Sequence, residues 1–531
     1  MPIQFASKLA EWSSTFIPPS PQKRVQKAFE NGASENAIDV IETIQKQNPN
    51  FDLIACLREN FTKIETPIEH QIAVNLTEFT EPHFQRFGFF KLAEFYSGRQ
   101  CVEKAIKASE CYLDLNPTNE SRISTIQTIC ERSYSTLDDP KMWHYNEALM
   151  LRKRARTGAK QRRMFKLFYK DREAALRIVK EIQQRTDFKK MRCNSLWLTH
   201  LVETKNYTQA LIDIDHYNKI APNLQYEAFL ANISTLEMKS PSGLQQLFDK
   251  LDLRVDVQSC NFDSIQPRHS KPSKFSNLVT VVMTAYNAQK YIETAIHSIL
   301  AQSHQNLELI IVDDHSSDNT KEILQSKFED NPKVTLLQTN QNSGTYIAKN
   351  LGIKKAKGEF VFLCDADDLW LPNHIEAHLT EMLGPQKPMI STSNWIRINN
   401  EGVIEISVRR DFIHLCPHST CFRKELFDRV GYFDAVRFGA DTEFLQRCFQ
   451  ILGSEKISRL DTVLSLGRRH DTSLTSSGIS KISKGKMSKE RVQYMQSWRL
   501  WHLENFLAQT TPKNTYENQR LAFRVPKKML S

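Results

Sequence analysis

Two rhythms run along the chain. Up to about residue 255, apolar residues recur every three or four positions and glycine is sparse, the spacing of amphipathic helices. From about 276 to 480, short β-branched and aliphatic runs alternate with helical stretches. That second pattern predicts strands over 278–283, 307–312, 334–337, 360–364 and 389–394, and helices over 291–302, 320–328 and 346–356. Strands alternating with helices predict a parallel sheet with crossover helices, whose ligands bind at the carboxyl ends of the strands. Phe360-Val361-Phe362-Leu363-Cys364 is apolar throughout and predicts a strand buried on both faces.

The helical half carries a faint repeat. Segments aligned on Ala37, Ala105, Ala175 and Ala210 are each followed twelve residues later by Pro49, Pro117, Asp187 or Pro222. The spacings are close to multiples of the tetratricopeptide period of about 34 residues. Residues 1–255 therefore resemble a tetratricopeptide-like array of stacked helix pairs, suited to docking a protein partner, a polymer or a second domain. An irregular helical domain is the alternative. A polar linker over 256–276, around Pro267 to Ser273, separates this half from the 277–480 domain, and a basic, aromatic helical tail occupies 481–531.

Composition narrows the class. The chain has 531 residues, more than one ordinary domain. No apolar run approaches the roughly 20 residues that span a bilayer, and the N-terminus lacks the basic-then-apolar order of a signal peptide. The ten cysteines show no CxxC, and Cys416 and Cys421 have no matching second pair, which argues against a zinc site and a disulfide framework. A cytoplasmic protein with reduced thiols is expected. The net charge of +10 is uneven: between Arg152 and Arg172, ten cationic residues face only Asp171. Such a block suits an anionic membrane surface, an acidic polymer or a solvated helix face. Without a nucleic-acid motif it does not imply nucleic acid.

Candidate chemistry gathers where strands should end. Asp365, Asp367 and Asp368 follow the buried run at 360–364, and Asp313-Asp314 follow the run at 307–312. An Asp-x-Asp at a strand's carboxyl end can hold a divalent cation that also touches nucleotide phosphates. Paired carboxylates can accept from a base N–H or a ribose hydroxyl. Acidic turns capping the following helices remain the alternative at both places. No GxGxxG follows the first strand, and no GxxxxGK[ST] occurs, so neither a dinucleotide fold nor a P-loop is indicated.

Four segments, read together, resemble one family. Val281-Val282-Met283-Thr284-Ala285-Tyr286-Asn287, Val312-Asp313-Asp314-His315-Ser316-Ser317-Asp318, Asn342-Ser343-Gly344 through Asn350-Leu351-Gly352, and Leu363-Cys364-Asp365-Ala366-Asp367-Asp368 are similar in order and spacing to family 2 glycosyltransferases of GT-A fold. The resemblance continues weakly to about residue 478 and does not reach the helical half. It implies an α/β GT-A domain, mostly parallel, preceded by an all-α repeat-like region. It also implies nucleotide contacts from Thr284, Ala285, Tyr286, Asp313, Asp314, Asn350 and Asp365. A divalent metal, Mn²⁺ or Mg²⁺, would be held by Asp367 with Asp365 and His470. Lys349 stands where the family usually has arginine, keeping charge but losing bidentate geometry.

Beyond these motifs, Arg437-Phe438-Gly439-Ala440-Asp441-Thr442-Glu443 resembles the family's segment bearing the catalytic base, which makes Asp441 the match. A single displacement needs one carboxylate to take the acceptor proton. His418 and Glu443 would lie on the acceptor side, and Arg468 and Arg469 on the phosphates. The implied enzyme inverts configuration, uses a nucleotide sugar, most often a UDP-sugar, and extends a glycan or lipid-linked glycan of a bacterial capsule or lipopolysaccharide. It would be cytoplasmic, with peripheral contact at the inner membrane face. The apolar positions Val492, Met495, Trp498, Trp501 and Phe506 in the tail would dock on the preceding domain or touch that membrane. The alternative function is a helical-repeat scaffold whose transferase domain binds nucleotide without catalysis.

Overall fold

The structure, a computed structural model, describes residues 82–151, 156–183, 191–268, 270–406, 412–471, 473, 482–483, 486–516 and 521–530, with isolated positions between 70 and 77. The repeat segment at Ala37 with Pro49, the position Asp187, and Arg152, Lys153 and Arg154 of the basic segment lie outside the described residues. The chain divides into two compact units. One comprises residues up to Ala159 with His502–Thr510; the other comprises Lys160–Trp501 with Thr511–Ser531.

In the first unit, α1 (Pro82–Gly98), α2 (Val102–Asp114), α3 (Glu120–Thr136) and α4 (Lys141–Leu151) pack on their sequence neighbours. Ala93, Ala105, Ile126 and Cys130 make a fully or almost fully buried seam between them. Small residues at these positions let the helix axes approach closely. Asn119 caps α3, its side chain accepting from the Arg122 N–H at 3.0 Å. A buried Asn146 amide donates to Glu131 at 2.8 Å and to the Ala159 carbonyl at 3.1 Å.

The second unit opens with α5 (Arg156–Leu167), most of which belongs to it, and continues with α6 (Arg172–Gln183), α7 (Met191–Glu203), α8 (Tyr207–Ile220), α9 (Leu224–Leu236) and α10 (Ser242–Lys250). Ala175 and Ala210, two of the repeat alanines, are fully buried on α6 and α8. A short hairpin follows, β1 (Val255–Val257) against β2 (Ile265–Pro267). After it come β3 (Val279–Ala285), α11 (Ile292–Leu300), β4 (Leu307–Asp313), α12 (Thr320–Phe328), β5 (Val334–Gln338), α13 (Thr345–Lys355) and β6 (Phe360–Asp365). Next are β7 (Leu369–Trp370), α14 (His374–Met382), β8 (Ile390–Asn399), β9 (Ile413–Arg423), α15 (Leu426–Val430), α16 (Ala440–Leu452) and β10 (Ile457–Arg469).

One sheet takes the strands in the order β5-β4-β3-β6-β9-β8-β10-β7. β3, β4, β5 and β6 are parallel, as is β8 to β10, while β9 runs antiparallel to both β6 and β8. The α/β class expected from the sequence, preceded by a helical region, is the class observed. The predicted elements fall within two residues of those seen, except that β8 runs on to Asn399 because Trp395–Asn399 pair with Ser465–Arg469. The period of two along β3 explains the two layers of core. Val281 and Met283 face α11 and α12 through Ile296, Ile299 and Leu324, whereas Val282 faces α13 and α16 through Ile353 and Phe444. Gly352 is required at the α13–β3 crossing, where a Cβ would lie 2.3 Å from a Val282 methyl.

A third core seals the other end of the sheet. Ala228, Ala231, Leu247 and Phe248 of α9 and α10 pack on Leu369, Ile396, Ile398 and Leu466. Asn232, buried on α9, imitates a strand neighbour: its amide N–H donates to the Ile404 carbonyl at 2.9 Å and its oxygen accepts from the Ile404 N–H at 2.7 Å. The last helix, α17 (Lys489–Leu507), inserts Tyr494 and Trp498 among Phe438 and Phe444, so the aromatic tail docks on this unit. Among the described residues no helix is long and apolar enough to cross a membrane.

Candidate active site

The carboxyl ends of β3, β4 and β6 lie side by side, and the expected residues arrive there in layers. β3 delivers Thr284, whose hydroxyl meets that of Thr345 at 2.9 Å, then Ala285 and Tyr286. Tyr286 is 50 % exposed, a large ring left facing solvent at the mouth of the cleft. Asn287 follows in the left-handed region at φ 50°, and its side chain accepts from the Ser317 N–H at 2.8 Å, tying the loops after β3 and β4 together.

Asp313 and Asp314 are both buried. Asp313 accepts from the Ser316 N–H at 3.2 Å and from Gln338 at 3.0 Å. Asp314 accepts from the Thr339 hydroxyl at 2.8 Å, the Ser343 N–H at 2.9 Å and the Gly344 N–H at 2.7 Å. Three donors of the protein itself thus fill most of this carboxylate, and its anchoring of the loop before α13 fixes where that helix starts. Gly344 sits at φ 90°, and a Cβ there would press on the Arg437 backbone at 3.2 Å.

The centre of the cleft is a line of charges. Asp365 ends β6 and receives the Lys349 ammonium of α13 at 2.8 Å. Burial alone would raise the Asp365 carboxyl, but Lys349 and then His418 hold it at about 2. Burial also works against the Lys349 charge, yet Asp365 and Asp441 raise it above an ordinary lysine. His418 on β9 stands between two acids, with Nδ1 3.5 Å from Asp365 and Nε2 3.9 Å from Asp441. Asp441 lies in the first turn of α16, after Gly439 in the left-handed conformation. The phenol of Tyr346 beside it is pushed well up by burial and by the Asp441 charge. Asp367 meets His470 Nε2 at 2.9 Å, and the His470 ring lies 4.7 Å from that of Tyr291. Asp368 is buried; burial, then Asp367 and Asp365, push its carboxyl well up.

The structure brings Asp365, His418 and Asp441 into one line and pairs Asp367 with His470, while Thr284, at the end of the neighbouring strand β3, lies beside Asp365 in register. The side chains of four expected residues are engaged by other groups of the protein. Glu443 is completely buried in a two-point pair with Arg447, Oε1–Nε and Oε2–Nη2 both 2.8 Å, because it lies one helical turn from that arginine on the core face of α16. Asn350 gives both ends of its amide to the Phe433 backbone, at 2.9 and 3.1 Å. Arg468 is sealed between the rings of Phe262 and Tyr291 and paired with Asp263, and Arg469 is paired with Glu405. Sequence reading missed Tyr346 and the partnership of Lys349. Their spacing of three, which puts both on one face of a helix aimed at the strand ends, was the available signal.

A divalent cation fits part of this arrangement. Carboxylates and imidazole are donors such ions accept, and Asp367 and His470 already share one edge of the cleft. Among the described residues no three potential ligands converge.

Residues 280–440 match the family described as glycosyl transferase family 2. The chain is 40 % identical over 106 residues to the putative teichuronic acid biosynthesis glycosyltransferase TuaG of Bacillus subtilis, a stretch covering 20 % of this chain and 42 % of that protein. It is 29 % identical over 223 residues to glycosyltransferase GlyG of Streptococcus pneumoniae, covering 38 % and 73 %. It is 37 % identical over 130 residues to the UDP-Glc:alpha-D-GlcNAc-diphosphoundecaprenol beta-1,3-glucosyltransferase WfgD of Escherichia coli, covering 24 % and 49 %. The matches to TuaG and WfgD thus span about half or less of those relatives. With the sheet and the strand-end carboxylates already placed, residues 280–440 are a glycosyl transferase family 2 domain.

Proposed function

We propose that the chain transfers a sugar from a nucleotide sugar, a UDP-sugar, to a glycan acceptor with inversion at the anomeric carbon. The observation that carries this reading is the line Asp365–His418–Asp441 at the strand ends, with the Asp367–His470 pair beginning two residues after Asp365. Tyr286 and Thr284 would border the base and ribose at the rim. Asp441 would take the proton of the acceptor hydroxyl as its oxygen attacks the anomeric carbon, while the bond from that carbon to the diphosphate oxygen breaks and the nucleoside diphosphate leaves with the electron pair. His418 would hold Asp441 and Asp365 apart at a fixed separation, and Lys349 would keep Asp365 ionised. A divalent cation, Mn²⁺ or Mg²⁺, would be held by Asp367 and His470 and would supply charge neutralisation on the leaving diphosphate.

The acceptor is read as a lipid-linked or polymeric surface glycan. Support comes from the names of TuaG and WfgD, the second of which acts on a diphosphoundecaprenol-linked sugar. Such an acceptor places the enzyme at the cytoplasmic face of a membrane, peripherally bound. The helical region is read as a tetratricopeptide-like array that docks a protein partner. The test is a panel of nucleotide sugars with Mn²⁺ or Mg²⁺, following nucleoside diphosphate release. Release with one donor, abolished by chelator, by Asp367→Ala and by Asp441→Asn, is the expected result. Binding of UDP without release in the presence of membrane glycan extract would instead favour a scaffold.

A further inference from the structure

A second cavity, of about 600 Å³, opens beside the cleft but is not part of it. Its walls are the loop 338–343, the outer side of α13, the segment 433–435 and residues 514–516. None of Thr284, Tyr286, Asp365, Asp367 or Asp441 lines it. The volume lies within the roughly 300–1,000 Å³ of ordinary small-molecule sites. One wall comes from chain beyond the 280–440 family match, and it is firmly placed. The Tyr432 N–H donates to the Asn514 carbonyl at 2.8 Å, and the Asn514 amide donates to Asp434 at 2.9 Å.

The chemistry of the lining is distinctive. The floor is apolar, with Ile347, Leu351 and the buried Phe433. The rim is amide and hydroxyl, and no lining residue is charged. Among the described residues, the side-chain polar atoms of Asn340, Gln341, Thr515 and Tyr516 have no hydrogen-bond partner, whereas Asn350 and Asn514 are already engaged. A ligand suited to this cavity is neutral, presents C–H surface to the floor and offers several hydroxyls to free amides. A nucleoside diphosphate would bring charge that nothing in the wall answers. A pyranose has the required two-sidedness.

We propose that this cavity is a binding site for neutral hexose or N-acetylhexosamine units of a glycan, separate from the site of transfer. Asn340, Gln341, Thr515 and Tyr516 supply hydrogen bonds to the sugar, and Ile347 and Leu351 take its apolar face. The site would hold a glycan whether or not the neighbouring cleft performs transfer, so its test needs no turnover.

Chitotriose, maltotriose and a uronate-containing trisaccharide are titrated against the full chain by saturation-transfer NMR, with and without saturating UDP. At least one neutral trisaccharide should bind, more tightly than the uronate, and UDP should leave its affinity within twofold. Ile347→Trp, which fills the floor, and the pair Asn340→Ala with Gln341→Ala, which changes only exposed side chains, should each weaken binding at least tenfold. Asp367→Ala should not. Absence of binding by both neutral sugars, tighter binding of the uronate, competition by UDP, or indifference to the exposed pair of substitutions would each overturn the assignment.

Discussion

Replacing Glu443 with glutamine tests whether its carboxylate belongs to the protein core or to an acceptor. The side chains of Glu443 and Arg447 are both 0 % exposed, and the guanidinium also donates to the Val430 carbonyl at 2.9 Å and the Tyr432 carbonyl at 2.7 Å. Four of the arginine's five N–H bonds are therefore directed at Glu443 of α16 and at the end of α15 and the turn after it. Glutamine keeps the shape and one acceptor but removes the charge, leaving a buried cation whose nearest remaining acid is Asp434. Two unit charges about 4 Å apart at an effective dielectric of about 20 interact by about 4 kcal/mol. Breaking a buried pair at one end costs about 3–5 kcal/mol. For a unit this large each kcal/mol lowers Tm by roughly 2 °C, so the fall should be roughly 6–10 °C. Differential scanning fluorimetry on the full chain reads it. Adding Arg447→Met to Glu443→Gln should recover part of the loss, since the stranded cation is gone. A Tm within about 1 °C of the parent, together with a raised KM for acceptor, would refute the reasoning and return Glu443 to the cleft.

Other consequences are equally open to measurement. Burial and then the Glu443 charge raise the Asp434 carboxyl to about 7, so the folded protein holds that proton more tightly than the unfolded chain does. The associated stability is complete below the ordinary carboxylate range and is lost as pH rises through about 7; Tm measured from pH 4.5 to 8 should fall across that interval, and Asp434→Asn should flatten the slope. Gly431→Ala should lower stability by about 2 kcal/mol or more, because φ is 90° and a Cβ would lie 2.1 Å from the Asn514 carbonyl oxygen; hydrogen exchange should speed up at 511–516. Asn232→Ala strands the N–H and the carbonyl of Ile404 under α9 and should cost about 2–4 kcal/mol in denaturant melts; no loss would show that water replaces the clamp.

The architecture of the second unit was largely legible, because buried parallel strands are written as contiguous apolar runs and crossover helices as a change of period. The run at 360–364 announced β6, and the acids after it announced the cleft. Harder to read was anything set by pairing at long range. Nothing local shows that β9 enters between β6 and β8 in the opposite direction, which is what carries His418 to a point between Asp365 and Asp441. Arg468 looked available for phosphate because its partner Asp263 lies 205 residues earlier. Asn350 sits in a recognisable motif, yet its amide is spent on Phe433, 83 residues later. Glu443 was different: its arginine is four residues away, and a pair at that spacing on an apolar helix face can be read as a core pair.

The strand order has a consequence for how a fragment of this protein would behave. The stretch that carries the family signature stops at residue 440, but β10 begins at Ile457 and is the strand that joins β8 to β7. A polypeptide ending with the signature would hold Asp313, Asp314, Asp365 and Asp367, stop one residue short of Asp441, and leave β8 with a bare hydrogen-bonding edge and β7 with no neighbour. Open, apolar edges of that kind recruit further chains. Expressed alone, the recognisable third of the molecule would self-associate through the seam that β10 normally closes.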